Sequence, residues 1–164
     1  YGRQAVMVTH SRDEAYHLCT RLCIMEDGRI LRAGGTKEVF AAPGSEAAAR
    51  LTGCKNISRA VKAGAYTVEA LDWGVCLTAA QPVPDNLKAV GLRAHAFHPQ
   101  VPSNRLPVLW ADALEEPFEW ILLFRYQSQA ASAPALWWRF PKDRKPAALP
   151  DSLGIAPEHV LLLT

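Results

Sequence analysis

The sequence predicts an α+β chain: a short α/β segment over residues 1–53, followed by an all-β barrel or sandwich over residues 54–164. Three observations predict this. A β-leaning run, a capped helical pattern and a hairpin pattern follow one another between Val6 and Gly35. At Cys54 the hydrophobic period changes from helical to alternating. From there on, short apolar runs are separated by Gly, Pro and Asn-Asp turn signals, the pattern of an all-β domain.

Ala5-Val6-Met7-Val8 has the length and composition of a buried strand and stops at Thr9-His10, a polar pair at its C-terminal end. Ser11-Arg12-Asp13-Glu14 is an S-x-x-E capping box, and Ala15, Leu18, Cys19 and Leu22 then recur at helical spacing on one face. His10 therefore sits at a strand-to-helix switch. In open α/β sheets ligands bind at that edge, and helix-start N–H groups favour an anion such as a phosphate. Leu22 to Met25, the Asp27-Gly28 turn and Ile30-Leu31 form a hairpin that closes at Gly34-Gly35.

Thr36 to Phe40 is a short helical turn, and Ser45 caps a second helix that ends at Gly53. The expected strands of the second half lie around Ile57 to Val61, Tyr66 to Ala70, Val75 to Thr78 and Lys88 to Arg93. Further on they lie at Val108 to Leu114, Trp120 to Tyr126, Trp137 to Phe140 and Val160 to Leu163.

Hydrophobic residues make up 49% of the 164 and charged residues 21%, which are globular values. A net charge of +2 argues against nucleic acid held by bulk electrostatics. No apolar run approaches the roughly 20 residues of a membrane span. Cys19, Cys23, Cys54 and Cys76 form no C-x-x-C pair and read as reduced thiols. His17, His95, His98 and His159 show no convincing metal spacing, so no metal site is expected. Trp137 to Lys145 interleaves aromatics with cations, as a single-strand nucleic-acid platform does. Alternation sends Trp138 and Phe140 to the opposite side from Trp137 and Arg139, however, which favours core packing beside a basic loop.

The order Val8-Thr9-His10, Glu14-Ala15, Asp27-Gly28-Arg29-Ile30 and Gly35 resembles the C-terminal end of the nucleotide-binding domain of ATP-binding-cassette transporters. Thr20 stands where that family often has Asp, and Lys37 where Pro often follows Gly-Thr. The resemblance implies that His10 is the switch histidine that reaches the γ-phosphate of ATP, a catalytic and nucleotide-contacting role in the intact protein. No G-x-x-x-x-G-K-[ST] loop, Gly-rich signature or strand ending in Asp-Glu occurs in the chain. The expectation is an excised C-terminal part of an ATPase that has no ATPase activity or bound cofactor of its own, while the intact protein uses ATP and Mg.

Leu51-Thr52-Gly53-Cys54-Lys55-Asn56-Ile57 and Val90-Gly91-Leu92-Arg93-Ala94-His95 resemble two segments of the regulatory domain that follows many importer ATPases. Ala94 and His95 replace the Pro and Glu of the sugar-importer version, and the pattern is closer to importers of molybdate and related oxyanions. That resemblance implies an oligonucleotide/oligosaccharide-binding-type barrel, a permease partner, a homodimer of ATPase subunits, and a cytoplasmic, peripheral position on the inner face of the cell membrane. Lys55, Asn56, Ser58 and Arg93 are candidate oxyanion ligands, because a tetrahedral dianion wants several N–H or O–H donors and one or two cations. The alternative is that Asn56 satisfies a turn and the cations are solvated. The functional expectation is the C-terminal regulatory part of the ATP-binding subunit of a molybdate-type importer; the rival is a self-contained cytosolic oxyanion-binding module.

Overall fold

The computed structural model describes residues 5–164. Eleven strands and three α-helices, none longer than seven residues, make these residues mostly β. They divide into two compact units, one ending at Gly53 and the other Cys54–Thr164.

In the first unit, helix α1 is Arg12–Leu18, with Ser11 as its N-cap. The Ser11 hydroxyl accepts from the Glu14 N–H at 3.3 Å, as the sequence pattern requires. The Glu14 carboxylate does not return to Ser11. It accepts instead from the Thr9 hydroxyl at 2.7 Å, and the Thr9 oxygen in turn accepts from the Ser11 N–H at 2.9 Å. The expected four-residue apolar face is not formed. Only Ala15 is buried in α1, Leu18 is 71% exposed, and Leu22 belongs to the next strand, because the helix ends after two turns.

Strands β1, Arg21–Glu26, and β2, Arg29–Gly35, pair antiparallel through a two-residue turn. Asp27 and Gly28 both have positive φ, 49° and 74°, the geometry whose twist matches paired strands. Helix α2, Thr36–Ala41, is pinned by the Thr36 hydroxyl, which donates to the Cys19 carbonyl at 2.7 Å. Helix α3, Glu46–Leu51, is capped by Ser45 and carries a Glu46–Arg50 pair one turn apart. Ile24, Val39 and Ala48 form the small core of this unit.

The expected strand at Ala5 to Val8 is not formed. These residues are unpaired, with Val6 and Val8 at 95% and 94% exposure. A strand exists only as a member of a sheet, and among the described residues no neighbour offers its hydrogen-bonding edge here. The α/β expectation is corrected accordingly: the strand pairing in this unit is the antiparallel hairpin alone among the described residues.

The second unit contains β3 (Asn56–Lys62), β4 (Thr67–Ala70), β5 (Val75–Thr78), β6 (Ala89–Leu92), β7 (Leu106–Glu115), β8 (Glu119–Tyr126), β9 (Leu136–Pro141), β10 (Ser152–Leu153) and β11 (Val160–Leu163). One sheet has the order β11-β6-β3-β4-β5 and the other β10-β7-β8-β9, with every pairing antiparallel. Alternation is clean where one face is covered: β9 buries Leu136, Trp138 and Phe140 and leaves Trp137 and Arg139 half-buried. The inward residues form an aromatic core in which Phe124 packs edge-on against Phe97, Trp110 and Tyr126.

Side chains and irregular segments join the two sheets. The Asn56 amide donates to the Trp137 carbonyl at 2.9 Å and accepts from the Trp137 N–H at 2.7 Å, so it extends β9 with a strand-like pair. His98 and Gly154 exchange backbone hydrogen bonds of 2.9 and 3.1 Å. A Cβ on Gly154 would collide with the Val101 carbonyl, so only glycine fits there. Asn104, at φ 48°, ties the Thr78 N–H and carbonyl to the Ile155 carbonyl.

Candidate functional site

His10 is exposed, one residue before the N-cap of α1. The Thr9–Ser11–Glu14 bonds tie together the backbone on either side of it. Among the described residues no group of three His, Cys, Asp or Glu is placed to hold a metal, and the sequence has no phosphate loop.

The four residues expected to hold an oxyanion separate into two sets. Asn56 and Ser58 are 4% and 1% exposed and face inward along β3. Asn56 is committed to Trp137, as above. The Ser58 hydroxyl donates to the Arg59 carbonyl at 2.8 Å and accepts from the Asp72 N–H at 3.0 Å. Asp72 also receives the Arg59 guanidinium through two bonds of 2.9 and 2.7 Å, and these hold its carboxyl below the usual aspartate range.

Lys55 and Arg93 keep different company. Asn56, Leu92 and Val160 lie in one row across β3, β6 and β11. Lys55 immediately precedes β3, Arg93 immediately follows β6 and His159 immediately precedes β11, all at this end of the sheet. His95 follows in the helical turn Ala94–Ala96. Strand β9 is bound to this end by the Asn56 amide and by the Trp138 indole, which donates to the Phe97 carbonyl at 3.0 Å. The outward residues of β9 complete the patch: Lys55 Nζ lies 5.7 Å above the Trp137 ring, and Arg139 is two residues on.

His95 keeps an open face to solvent, yet its packed side denies the imidazolium part of its hydration. That, with the nearby positive charges of Arg93, His159 and Arg139, holds its pKa below the ordinary histidine value. At neutral pH it is a neutral ring among cations, able to donate one N–H or take up a proton. A Glu119 carboxylate reaches Arg139 Nε at 3.2 Å, with both side chains about one-third exposed. Arg139 and His159, whose charges reach His95, are residues that sequence reasoning did not assemble here. Their signal lies in strand register, which spacing along one chain does not reveal.

The remaining features have other uses. His98 Nδ1 accepts from the Gln100 N–H at 3.1 Å, a local turn contact. Lys145 stands 3.7 Å over the Trp120 ring. A shallow depression of about 340 Å3, lined by Val75, Leu106, Pro107, Tyr126, Gln127 and Ser128, presents no charged side chain. The Tyr126 hydroxyl is buried without a hydrogen-bond partner, and burial pushes its pKa up. No disulfide links the four cysteines.

No family model matches the chain. It is 42% identical over 64 residues to a molybdate/tungstate import ATP-binding protein of Pyrococcus horikoshii, a match covering 39% of this chain and 19% of that protein. It is 36% identical over 87 residues to an Fe(3+) ions import ATP-binding protein of Streptomyces coelicolor, covering 52% of this chain and 22% of that protein. A sulfate/thiosulfate import ATP-binding protein of Chromobacterium violaceum is 33% identical over 84 residues, covering 51% of the chain and 22% of the relative. The matched stretch thus spans about a fifth of the length of these curated relatives. The relatives of this chain are the ATP-binding subunits of ATP-binding-cassette importers.

Proposed function

We propose that the chain works as the C-terminal regulatory part of the ATP-binding subunit of an oxyanion importer, coupling ATP hydrolysis to transport in the intact protein. The observation that carries this reading is the 33–42% identity to import ATP-binding proteins. The motif order agrees with it: Val8-Thr9-His10, the capped helix, and the Asp27-Gly28 hairpin closing at Gly35.

In this reading residues 1–53 complete the nucleotide-binding domain, and residues 54–164 are a regulatory barrel of the oligonucleotide/oligosaccharide-binding type. His10 faces the γ-phosphate when the rest of the ATPase is present, and ATP and Mg are held by residues outside this chain. The partners are a membrane permease subunit and a second ATPase subunit, at the inner face of the cell membrane. No helix among the described residues is long and apolar enough to cross a membrane. A molybdate-type cargo is favoured by the Gly53-Cys54-Lys55-Asn56 and Arg93-Ala94-His95 segments. Relatives named for iron and sulfate import make the cargo the part most in need of measurement.

The test has two arms. Calorimetry on the 164-residue chain is expected to show no micromolar ATP binding. In the full-length subunit that contains it, co-expressed with its permease, His10→Ala is expected to leave ATP binding within a few fold and to lower hydrolysis at least a hundredfold. Micromolar ATP binding by the chain alone, or unchanged hydrolysis in His10→Ala, would overturn the assignment. A full-length protein that binds oxyanion yet copurifies with no permease supports the self-contained module instead.

A further inference from the structure

We propose that the depression beside β5 is a binding site for a small uncharged primary carboxamide with an apolar body. The site goes beyond the importer reading and uses none of the residues on which that reading rests.

Strand β5 ends the five-stranded sheet and is paired on one side only, to β4. One register step beyond the Thr67–Thr78 pair, the Ala79 N–H donates to the Tyr66 carbonyl at 2.8 Å. Backbone groups alternate in direction along an antiparallel strand, so Val75 and Leu77 turn theirs toward β4, while Cys76 and Thr78 turn theirs outward. The outward groups of Thr78 are taken: the Asn104 amide accepts from its N–H at 2.7 Å and donates to its carbonyl at 3.0 Å. The equivalent groups of Cys76 have no hydrogen-bond partner among the described residues.

The protein itself shows which chemistry fits such a pair. Twice in the second unit a side-chain amide bridges the N–H and carbonyl of one strand residue, Asn104 on Thr78 and Asn56 on Trp137. A carboxamide from solution completes Cys76 in the same way. A carboxylate does not, because it has no N–H to offer the carbonyl.

The surroundings of Cys76 select the rest of the ligand. Its neighbour Val75 turns inward and forms one wall of the depression of about 340 Å3, a volume that suits a small ligand. Leu106, Pro107 and Tyr126 supply the other apolar walls, and none of the lining side chains is charged. At one end of β5 the Ser128 carbonyl lies against Gly74, and at the other Asn104 covers Thr78, so Cys76 is the open position between them. An ion entering such a place gives up hydration with no counter-charge to replace it, whereas a neutral amide keeps its hydrogen bonds.

The test is an NMR titration of the 164-residue chain with benzamide. Saturable shifts are expected at the Cys76 amide and the Val75 methyl groups, with the millimolar affinity proper to so small a molecule. Benzoate has the same shape but a charge and no donor, and N,N-dimethylbenzamide lacks the N–H. Each should bind roughly tenfold more weakly or not at all. Cys76→Pro removes the outward N–H and no bond to β4, so it should weaken benzamide roughly tenfold, whereas Cys76→Ala should bind as the wild type does. Val75→Phe fills the depression and should abolish binding.

Equal affinity for benzamide and N,N-dimethylbenzamide, or no saturable shift at Cys76, would overturn the site. Weakening by Cys76→Ala would do so too, since it would move recognition from the backbone to the thiol. The comparison of ligands needs no variant, so it decides the matter even where Cys76→Pro or Val75→Phe does not fold.

Discussion

The two units are held together by different means. The first gathers Ile24, Val39 and Ala48 into a core of small and medium side chains, and most of its order comes from caps and backbone pins: Thr9 to Glu14, Thr36 to Cys19, Ser45 to Ala48. Its hairpin exposes Met25 at 57% and Ile30 at 64%. The second unit buries Trp73, Phe97, Phe124, Tyr126 and Trp138 in one continuous core between two sheets. Apolar burial contributes in proportion to area, whereas each cap or pin adds on the order of 1 kcal/mol. The second unit is therefore the stable body, and the first is a set of well-specified turns on little buried area.

The largest expected effect sharpens this contrast. Phe124 is fully buried against three aromatic rings, so Phe124→Ala should cost the second unit about 3–5 kcal/mol. In the first unit the side chain at Ile24 can be truncated to Val, at a cost of roughly 0.5–1.5 kcal/mol. Urea unfolding of both variants, read by tryptophan fluorescence, should show a large fall in midpoint for Phe124→Ala. All five tryptophans, at positions 73, 110, 120, 137 and 138, lie in the second unit, so Ile24→Val should leave that signal almost unmoved. Equal midpoint shifts would break the comparison, because they would mean that the units unfold as one.

The same contrast explains what the sequence disclosed. Turn chemistry is local, so Asp27-Gly28, Ser45 and Gly53 marked the hairpin, the cap and the helix end that the structure contains. Alternation is also local, and it placed Trp138 and Phe140 inside β9. The failures involve partners. Ala5 to Val8 has strand composition, but pairing requires an edge elsewhere, and none is present among the described residues. Asn56 carries the polar atoms of a ligand residue, and its two bonds to a strand 81 residues away are not legible along the chain. The two-residue strand β10 offers no period to detect. Arg139 joins the patch only because β9 is clamped to β3, a fact of register and not of spacing.

A second prediction concerns that clamp. Removing the Asn56 side chain takes away the partner of both the Trp137 N–H and the Trp137 carbonyl, which are part-buried. Asn56→Ala should destabilise the second unit by about 2–3 kcal/mol and loosen the fit of β9 to β3. Hydrogen exchange is the discriminating measurement: the Trp137 amide should lose protection before those of β3 and β4 do. If its protection is unchanged, water or a neighbouring group satisfies it, and the clamp is not what joins the sheets.

The smallest effect is a test of the exposed pair within the stable unit. Asp72 accepts from the Arg59 guanidinium and from the Arg59 N–H, and both contacts hold its pKa below the ordinary value of 3.8. A carboxyl whose folded pKa is depressed adds stability that is fully present above its unfolded value. That stability is lost as the pH falls through the folded one. The contribution from Asp72 therefore stands at neutral pH and disappears below about pH 4. Its size is modest, because Arg59 is 75% exposed and solvent screens the pair. Asp72→Asn keeps the shape and removes the charge, so it should lower stability slightly at pH 7 and converge on the wild type near pH 2. Urea midpoints of the two proteins compared across that range decide the matter. Curves that stay parallel down to pH 2 would show that the Asp72 contacts matter for their hydrogen-bond geometry and not for their charge.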